Sequence, residues 1–398
     1  MSLDAHSGGM VAERGADILL VAGEASGDLH GARLAAALKQ LTPGLRLAGM
    51  GGPRMRDAGV EIVADAGQTA VVGLTELWEK RRALRAALRT VRHVLATRPP
   101  QLLVCIDFPD FNLLIARTAH QRQIPVCYFI SPQVWAWRSG RIRTIRRLVA
   151  KMLVFFPFEE RLYRAAGVNV TFVGHPLLDA LAGVPARPVC RERLGIAPDA
   201  RVVGLLPGSR AAEMHRHLPV LLDAARQIRT TLPDTEVVIG LHEGADHAPV
   251  AKAVADSGLP TRIIQGQTAA VIRTADFLLA VSGTVTLEAA ILGTPMLITY
   301  RLGTLTYWLA RLLIHVPFIG LPNIVAERAI VPELIQGAAT PAALAKTALR
   351  YLTAPQRLAA MREDLAEVGR RLGASGASER AAREVLAMLA AGPAPGVP

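Results

Sequence analysis

The sequence predicts an α/β protein built from two doubly wound parallel-sheet lobes, and three observations carry that prediction. Short apolar runs recur along the chain and end in turn-rich or polar loops, several followed by a helical pattern, which is the rhythm of βα units. The runs are continuous rather than alternating, as strands buried on both faces require. At 398 residues the chain is too long for one ordinary core.

The first run, Asp17 to Ala22, leads into the loop Gly23 to Asp28 and then a helix whose Leu34, Leu38 and Leu41 share one face. Later runs in the first half are Leu102 to Ile106, Val126 to Ile130, Met152 to Phe156 and Val170 to Val173. A second series consists of Val202 to Leu206, Glu236 to Ile239, Phe277 to Val281 and Met296 to Thr299. Between the series, Gly183 to Asp199 mixes three prolines with charges and reads as a linker. From Pro341 to Leu389, Ala, Leu and Arg recur at helical spacing. The expected units are a loose leader over 1–15, a first lobe over 16–185, a second lobe over 200–340, helices packing back across the lobes over 341–390, and a frayed tail over 391–398.

Composition narrows the function classes. Apolar residues make up 51% and charged residues 20%, which fits a packed globular chain. Forty-five basic against thirty-three acidic side chains give +12, nearly all from Arg, which favours phosphates, nucleic acid or an acidic membrane surface as partners. Cys105, Cys127 and Cys190 are odd in number and scattered, against a disulfide framework or a tetrahedral zinc site, and a reducing cytoplasm fits them. The first fifteen residues carry Asp4, Glu13 and Arg14 with no apolar run, so no secretory signal is expected. The longest apolar stretch, Leu305 to Leu321, is broken by Arg311, His315 and Pro317, which points to surface association rather than spanning.

Four loops could carry chemistry. Gly23-Glu24-Ala25-Ser26-Gly27-Asp28-Leu29-His30-Gly31 follows the first strand, where open α/β sheets bind ligands. Its carboxylates, Glu24 and Asp28, would repel a pyrophosphate and suit a hydroxyl-rich sugar; the competing reading is that Ser26 or Asp28 caps the helix. His30 within it is a further candidate. In Asp107-Phe108-Pro109-Asp110-Phe111-Asn112, carboxylates among aromatic rings would be partly desolvated and suited to take a proton from an alcohol. A turn with Pro109 opening a helix is the competing reading. In the second half, Pro207-Gly208-Ser209-Arg210, with Glu213 beyond it, could seat a diphosphate on free amides and a guanidinium. Ser282-Gly283-Thr284 could add phosphate contacts, and Glu288 could accept both hydroxyls of a ribose. Each of these last two is also an ordinary helix start.

No Asp-x-Asp pair, Walker lysine loop, His-Glu-x-x-His or Cys-x-x-Cys occurs, so neither a metal nor a cofactor is expected. Two stretches interleave apolar and basic residues in a manner suited to phosphate or a bilayer interface. One contains Trp135, Trp137, Arg138, Arg141, Arg143, Arg146, Arg147 and Lys151; the other contains Val71, Val72, Leu74, Leu77, Trp78, Lys80, Arg81, Arg82, Arg85 and Arg89. Neither follows a helix-turn-helix or RNA-recognition pattern, so nucleic acid is not the expected partner.

Taken in order and spacing, Gly-Glu-Ala-Ser-Gly-Asp-Leu-His-Gly at 23–31, Asp-Phe-Pro-Asp-Phe-Asn at 107–112, Ser-Pro-Gln-Val-Trp-Ala-Trp-Arg at 131–138, Gly-His-Pro at 174–176, Pro-Gly-Ser-Arg at 207–210, Ser-Gly-Thr-Val-Thr-Leu-Glu at 282–288 and Leu-Pro-Asn at 321–323 resemble the lipid-A-disaccharide synthase family. The likeness runs from about Gly23 to Gln336, with one departure: Glu327 stands where the family usually has Gly. The resemblance implies a GT-B fold whose first lobe binds an acylated sugar phosphate acceptor and whose second binds a UDP-sugar donor, with a final helix crossing back. It implies inverting transfer, Asp110 as base, Asp107 and Asn112 orienting it, and Glu24, Ser26, Asp28, His30 and Trp135 about the acceptor. Gly208, Ser209, Arg210, Glu213, Ser282, Gly283, Thr284, Glu288 and Asn323 would hold UDP. Relatives of this kind are peripheral to the cytoplasmic face of the inner membrane and can be homodimers. Two other readings stay open: a different GT-B UDP-sugar transferase or epimerase acting on another envelope precursor, and a non-catalytic basic membrane- or nucleic-acid-binding module.

Overall fold

The computed structural model describes residues 15–65, 76–135, 140–303 and 317–392, with the side chains of 76–80 left aside. Val71, Val72, Leu74, Trp137 and Arg138 lie outside the described residues, as do most of the Leu305 to Leu321 stretch and the side chains of Leu77, Trp78 and Lys80.

The first lobe runs β1 (Ile18–Ala22), α1 (Ala25–Leu41), β2 (Leu47–Gly51), α2 (Pro53–Asp57), β3 (Glu61–Asp65), α3 (Glu76–Thr97) and β4 (Leu102–Ile106). It continues with α4 (Pro109–His120), β5 (Val126–Phe129), α5 (Arg141–Leu148), β6 (Lys151–Val154), α6 (Pro157–Ala165), β7 (Val170–Phe172) and α7 (Leu177–Leu181). Its seven strands lie parallel in the order β3-β2-β1-β4-β5-β6-β7. Alternate residues of one strand enter opposite cores: Leu19 and Val21 join Leu103, Cys105 and Tyr128 on one face, while Ile18 and Leu20 join Leu102, Val104 and Cys127 on the other. Two buried faces are why these runs are apolar without a break.

After α8 (Arg187–Arg193) the second lobe follows as β8 (Arg201–Leu206), α9 (Ala211–Thr231), β9 (Thr235–Leu241), α10 (His247–Ser257), β10 (Thr261–Gln265) and α11 (Thr268–Thr274). Then come β11 (Phe277–Val281), α12 (Thr284–Ile291), β12 (Met296–Tyr300), α13 (Leu321–Ala326) and β13 (Glu333–Ile335). The order is β10-β9-β8-β11-β12-β13, again parallel. Strand order reverses between β1 and β4 in one sheet and between β8 and β11 in the other, so each lobe opens a crevice at those carboxyl ends.

Two expectations need correction. The stretch read as linker is structured: α8 packs on α11, Leu194 and Ile196 join the second-lobe core, and Arg191 is buried against Thr274 O at 3.1 Å and Asp276 at 3.2 Å. Three prolines did not prevent this because Pro188 sits in the first turn of α8, where its missing N–H has no helical partner to lose. Of the C-terminal helices, α14 (Pro341–Leu352) and α15 (Pro355–Arg371) belong to the second lobe, adding Leu344, Ala348, Met361, Leu365 and Val368 to its core. Only α16 (Ala377–Ala391) crosses back, packing along α1 and adding Ala381, Ala382 and Val385 to a first-lobe core. Asp179 fixes its start by accepting from Gly376 N at 2.6 Å and Ala377 N at 3.2 Å, and Lys151 pairs with Glu384 at 2.8 Å. No described helix is long and apolar enough to cross a membrane.

Candidate active site

In the first lobe the helix begins sooner than the motif suggests, at Ala25, so Ser26 to Gly31 form its opening turns. Glu24 and Ser26 are exposed at the crevice. Asp28 points the other way, 5% exposed, and accepts from Gly52 N at 2.7 Å and from Arg54 N and Met55 N at 3.1 Å each. It is therefore the cap of α2, a neighbouring helix rather than its own, with little left for an acceptor sugar. His30 packs on Phe155 with ring centroids 5.5 Å apart, and burial, with Arg33 adding to it, holds its imidazole down at about 4. His175, against the same Phe155, is driven to about 3 by burial and by His30. Both rings are neutral near pH 7 and serve the packing around the crevice more than proton transfer.

The turn after β4 is strained. Asp107 and Phe108 both have positive φ, +45° and +47°, in the left-handed region that costs non-glycine residues about 1–3 kcal/mol each. The surrounding groups hold it: Tyr128 Oη donates to Asp107 O at 2.7 Å, and Asn112 Nδ2 donates to Asp107 O at 2.7 Å and Ile106 O at 3.1 Å. Gly23 is required opposite, because a Cβ there would fall within the Phe108 ring. Asn112 is thus fully buried and braces backbone carbonyls, so the orienting expected of it would act through the turn and not by side-chain contact with Asp110. The expected desolvation falls unequally as well. Burial raises the Asp107 carboxyl above its ordinary value, with Glu24 adding to it. Asp110, in the first turn of α4, is 73% exposed and ion-paired with Arg141.

Ring contacts lead from this crevice to the second lobe. Phe155 and Phe156 flank His175, Phe156 stacks on Phe158 at 5.3 Å, and Trp135 meets Phe158 edge-on at 5.3 Å. Phe156 and Phe158 in turn pack on the second-lobe core. Trp135 is therefore held inside the protein, where a bilayer anchor would project from it. Beneath it, Glu159 is buried and its carboxyl is pushed up to about 8 by desolvation; it accepts from Phe156 N at 3.3 Å.

At the reversal point of the second sheet lies a cavity of about 240 Å³ lined by Gly208, Ser209, Glu213, Ser282, Gly283, Thr284 and Glu288, together with Gly240, His242 and Thr268. Gly208 has φ +106°, and a Cβ there would press on Glu213 at 2.9 Å, so glycine is needed for the loop to turn. Arg210 is the N-cap of α9 and reaches outward, 81% exposed, with Glu213 holding one end of its guanidinium at 3.2 Å. Gly283 precedes α12, and a Cβ there would stand in open space. Glu288 is half-buried, and desolvation raises its carboxyl while His242 opposes that rise.

Two expected UDP contacts are committed elsewhere. Ser282 Oγ donates to Ile319 O at 2.9 Å. Asn323, 0% exposed, accepts from Ile330 N at 2.8 Å and Val331 N at 2.9 Å and donates to Glu333 at 2.8 Å, so it ties the chain behind the cavity without entering it. Glu333 also accepts from Ile319 N and Gly320 N at 3.0 Å each. Sequence reasoning missed Arg141 as the partner of Asp110, Glu333 as the loop tie, Glu159 beneath Trp135, and His242 in the cavity. Of these, His242 carried a signal, its position just past an apolar run. Among the described residues no group of three or more His, Cys, Asp or Glu is placed to hold a metal ion.

Solved structures of similar fold include the UDP-GlcNAc 2-epimerase of Neisseria meningitidis bound to UDP-GlcNAc, at TM-score 0.61 and 13% identity, covering 93% of this chain and 99% of that one. Another is CalG4, the calicheamicin glycosyltransferase, at TM-score 0.59 and 18% identity, covering 95% and 99%. At such identities the likeness establishes the GT-B architecture alone. Sequence likeness is far closer. The lipid-A-disaccharide synthase of Geobacter sulfurreducens is 46% identical over 372 residues, 94% of this chain and 97% of that one, and that of Myxococcus xanthus is 40% identical over 375 residues, 94% and 98%. The family model described as lipid-A-disaccharide synthetase matches residues 18–387. With nearly the whole chain matched, the protein belongs to the lipid-A-disaccharide synthase family of GT-B glycosyltransferases.

Proposed function

We propose that the chain transfers a 2,3-diacylglucosamine unit from its UDP derivative to the 6-hydroxyl of 2,3-diacylglucosamine 1-phosphate, giving a β-1,6 disaccharide phosphate and UDP. The observation that carries this is the pairing of the two crevices: Glu24, Asp107 and Asp110 at one, and at the other a cavity lined by loop glycines, Ser209 and Thr284 together with Glu213 and Glu288, with the Arg210 guanidinium exposed beside it. The 6-oxygen attacks the anomeric carbon, its proton passes to Asp110, and the bond from that carbon to the diphosphate oxygen breaks with its electron pair leaving on UDP. Arg210, Ser209 and the loop amides around Gly208 and Gly283 offset the charge gathering on the diphosphate, and Glu288 accepts from the ribose hydroxyls. Arg141 holds the Asp110 carboxylate until the acceptor hydroxyl replaces part of that contact. Asp107, Glu24 and Ser26 offer acceptors to the sugar.

The same reading makes the protein peripheral to the cytoplasmic face of an inner membrane. Exposed Arg81, Arg82, Arg85 and Arg89 on α3 and Arg143, Arg146 and Arg147 on α5 support it, since each such cation near an anionic surface contributes about 1 kcal/mol. The test is UDP release from UDP-2,3-diacylglucosamine with the acylated acceptor present and absent. Release that requires the acceptor supports the proposal. Equal turnover with non-acylated, water-soluble sugars would instead assign the chain to another envelope precursor.

A further inference from the structure

The second-lobe cavity has two ends. Gly208, Ser209 and Thr284 line one, at the reversal between β8 and β11, where helix starts favour phosphate. Gly240, His242 and Thr268 line the other, on the β9 side, with Glu288 lining the cavity as well. A nucleoside diphosphate seated with its phosphates at the first end extends its base toward the second. On that second wall Gly240 offers no side chain, and Thr268 spends its hydroxyl proton on Leu241 O at 3.2 Å. His242 is different. Gly244 N donates to its Nδ1 at 3.1 Å, which leaves Nε2 as the ring's N–H donor. The loop carrying it is pinned, because Gln265 Nε2 donates to Glu243 O and Ala245 O at 2.8 Å each. The ring therefore needs little reorganisation on binding.

Resting on the donor reading above, we propose that His242 reads the nucleobase of the donor, its Nε2–H donating to a carbonyl oxygen of the pyrimidine. Uracil and cytosine carry such an oxygen, and so does guanine at O6, whereas adenine presents none. The side chain thus favours a base with a carbonyl oxygen, such as uracil, over adenine by a contact that involves neither the phosphates nor the transferred sugar.

Calorimetric titration of the wild type, His242→Ala and His242→Gln with UDP, UMP, ADP and pyrophosphate tests this. His242→Ala is expected to lose roughly 2- to 10-fold in affinity for UDP and for UMP alike, the value of one hydrogen bond. Affinity for ADP and pyrophosphate should stay unchanged, and His242→Gln, which restores an N–H donor, should recover most of the loss. Unaltered UDP affinity in His242→Ala overturns the proposal while leaving the donor reading intact. A loss shared by pyrophosphate also overturns it, since the ring would then serve the phosphates. Failure of the wild type to bind UDP overturns both.

Discussion

At the reversal point of the first sheet the loops present Glu24, Asp107 and Asp110, whereas at the matching point of the second they present glycine-rich backbone, Ser209 and Thr284 alongside Glu213 and Glu288, with the exposed Arg210 paired to Glu213. The strand order about the reversal is the same, though the first sheet has one strand more, and so is the location of the crevice. What differs is the backbone as well as the charge. The first crevice depends on two left-handed non-glycine residues braced by Asn112 and Tyr128, while the second gives its left-handed position to Gly208. Strain is thus spent where a carboxylate must be aimed and avoided where amides must be open. The contrast teaches that a shared fold sets where ligands bind, and the loop chemistry sets whether a hydroxyl or a phosphate is welcome there.

The largest expected effect breaks the first crevice alone. Asp110→Ala should lower turnover by about 10² to 10⁴, the usual worth of a positioned base, with UDP affinity unchanged by calorimetry. Wild-type turnover would remove Asp110 from that role, and a comparable loss in Asp107→Asn but not Asp110→Asn would move the base to Asp107. Next, Arg210→Ala should weaken UDP and slow transfer together, by about 10- to 100-fold, as loss of charge-assisted contacts predicts. UDP affinity equal to that of the wild type would count against the second-lobe cavity as the donor site.

Much of this arrangement was legible in the chain. Unbroken apolar runs marked nine of the thirteen strands within a few residues, because burial on both faces leaves no other composition. The four that went unmarked lack that signature. β2 reads Leu-Ala-Gly-Met-Gly, too small and glycine-rich to stand out, and β13 is three residues long. β3 and β10 sit at sheet edges with partly exposed residues, so their pattern is diluted. The site was legible as loops and less so as roles. Asp28, Asn112 and Asn323 look like ligand-binding residues in sequence, and in the fold all three satisfy buried backbone groups. Which polar side chain faces the crevice and which faces the backbone depends on contacts across 5 to 91 positions, which spacing does not encode.

Asn112→Ala measures what the bracing of the first crevice is worth. It leaves buried carbonyls without their donor, so chemical denaturation should show a loss of about 1–3 kcal/mol, and turnover should fall through the displaced turn while UDP binding is kept. A loss of stability with full activity would mean that the strained turn does not aim the carboxylates. Glu159 sharpens the comparison through pH. Its folded value of about 8 lies above the ordinary 4.5, so the stability tied to the neutral carboxyl is complete below about 4.5 and is lost as pH rises through 8. Between pH 6 and 9 the wild type should lose on the order of 1–3 kcal/mol more than Glu159→Gln, which stays neutral. Parallel Tm profiles for the two would show that the buried carboxyl is not coupled to folding.

Glu327 is the smallest of these effects and joins both lobes. It caps α13 with φ +59°, the conformation for which glycine is the usual residue, and its carboxylate is ion-paired with Arg161 on α6 across the lobes. Holding a non-glycine residue there costs about 1 kcal/mol, while an exposed ion pair returns about 0–1 kcal/mol, so the two terms nearly cancel. Glu327→Ala keeps the strain and loses the pair; it should be less stable than the wild type by up to about 1 kcal/mol. Glu327→Gly loses both and should fall within about 0.5 kcal/mol of the wild type, its relief reduced by the greater freedom of the unfolded chain. If Arg161→Ala costs as much as Glu327→Ala, the side-chain pair explains the alanine loss. If Glu327→Gly proves as unstable as Glu327→Ala, the left-handed backbone carries no strain, and the departure from glycine at this position has to be explained by the ion pair alone.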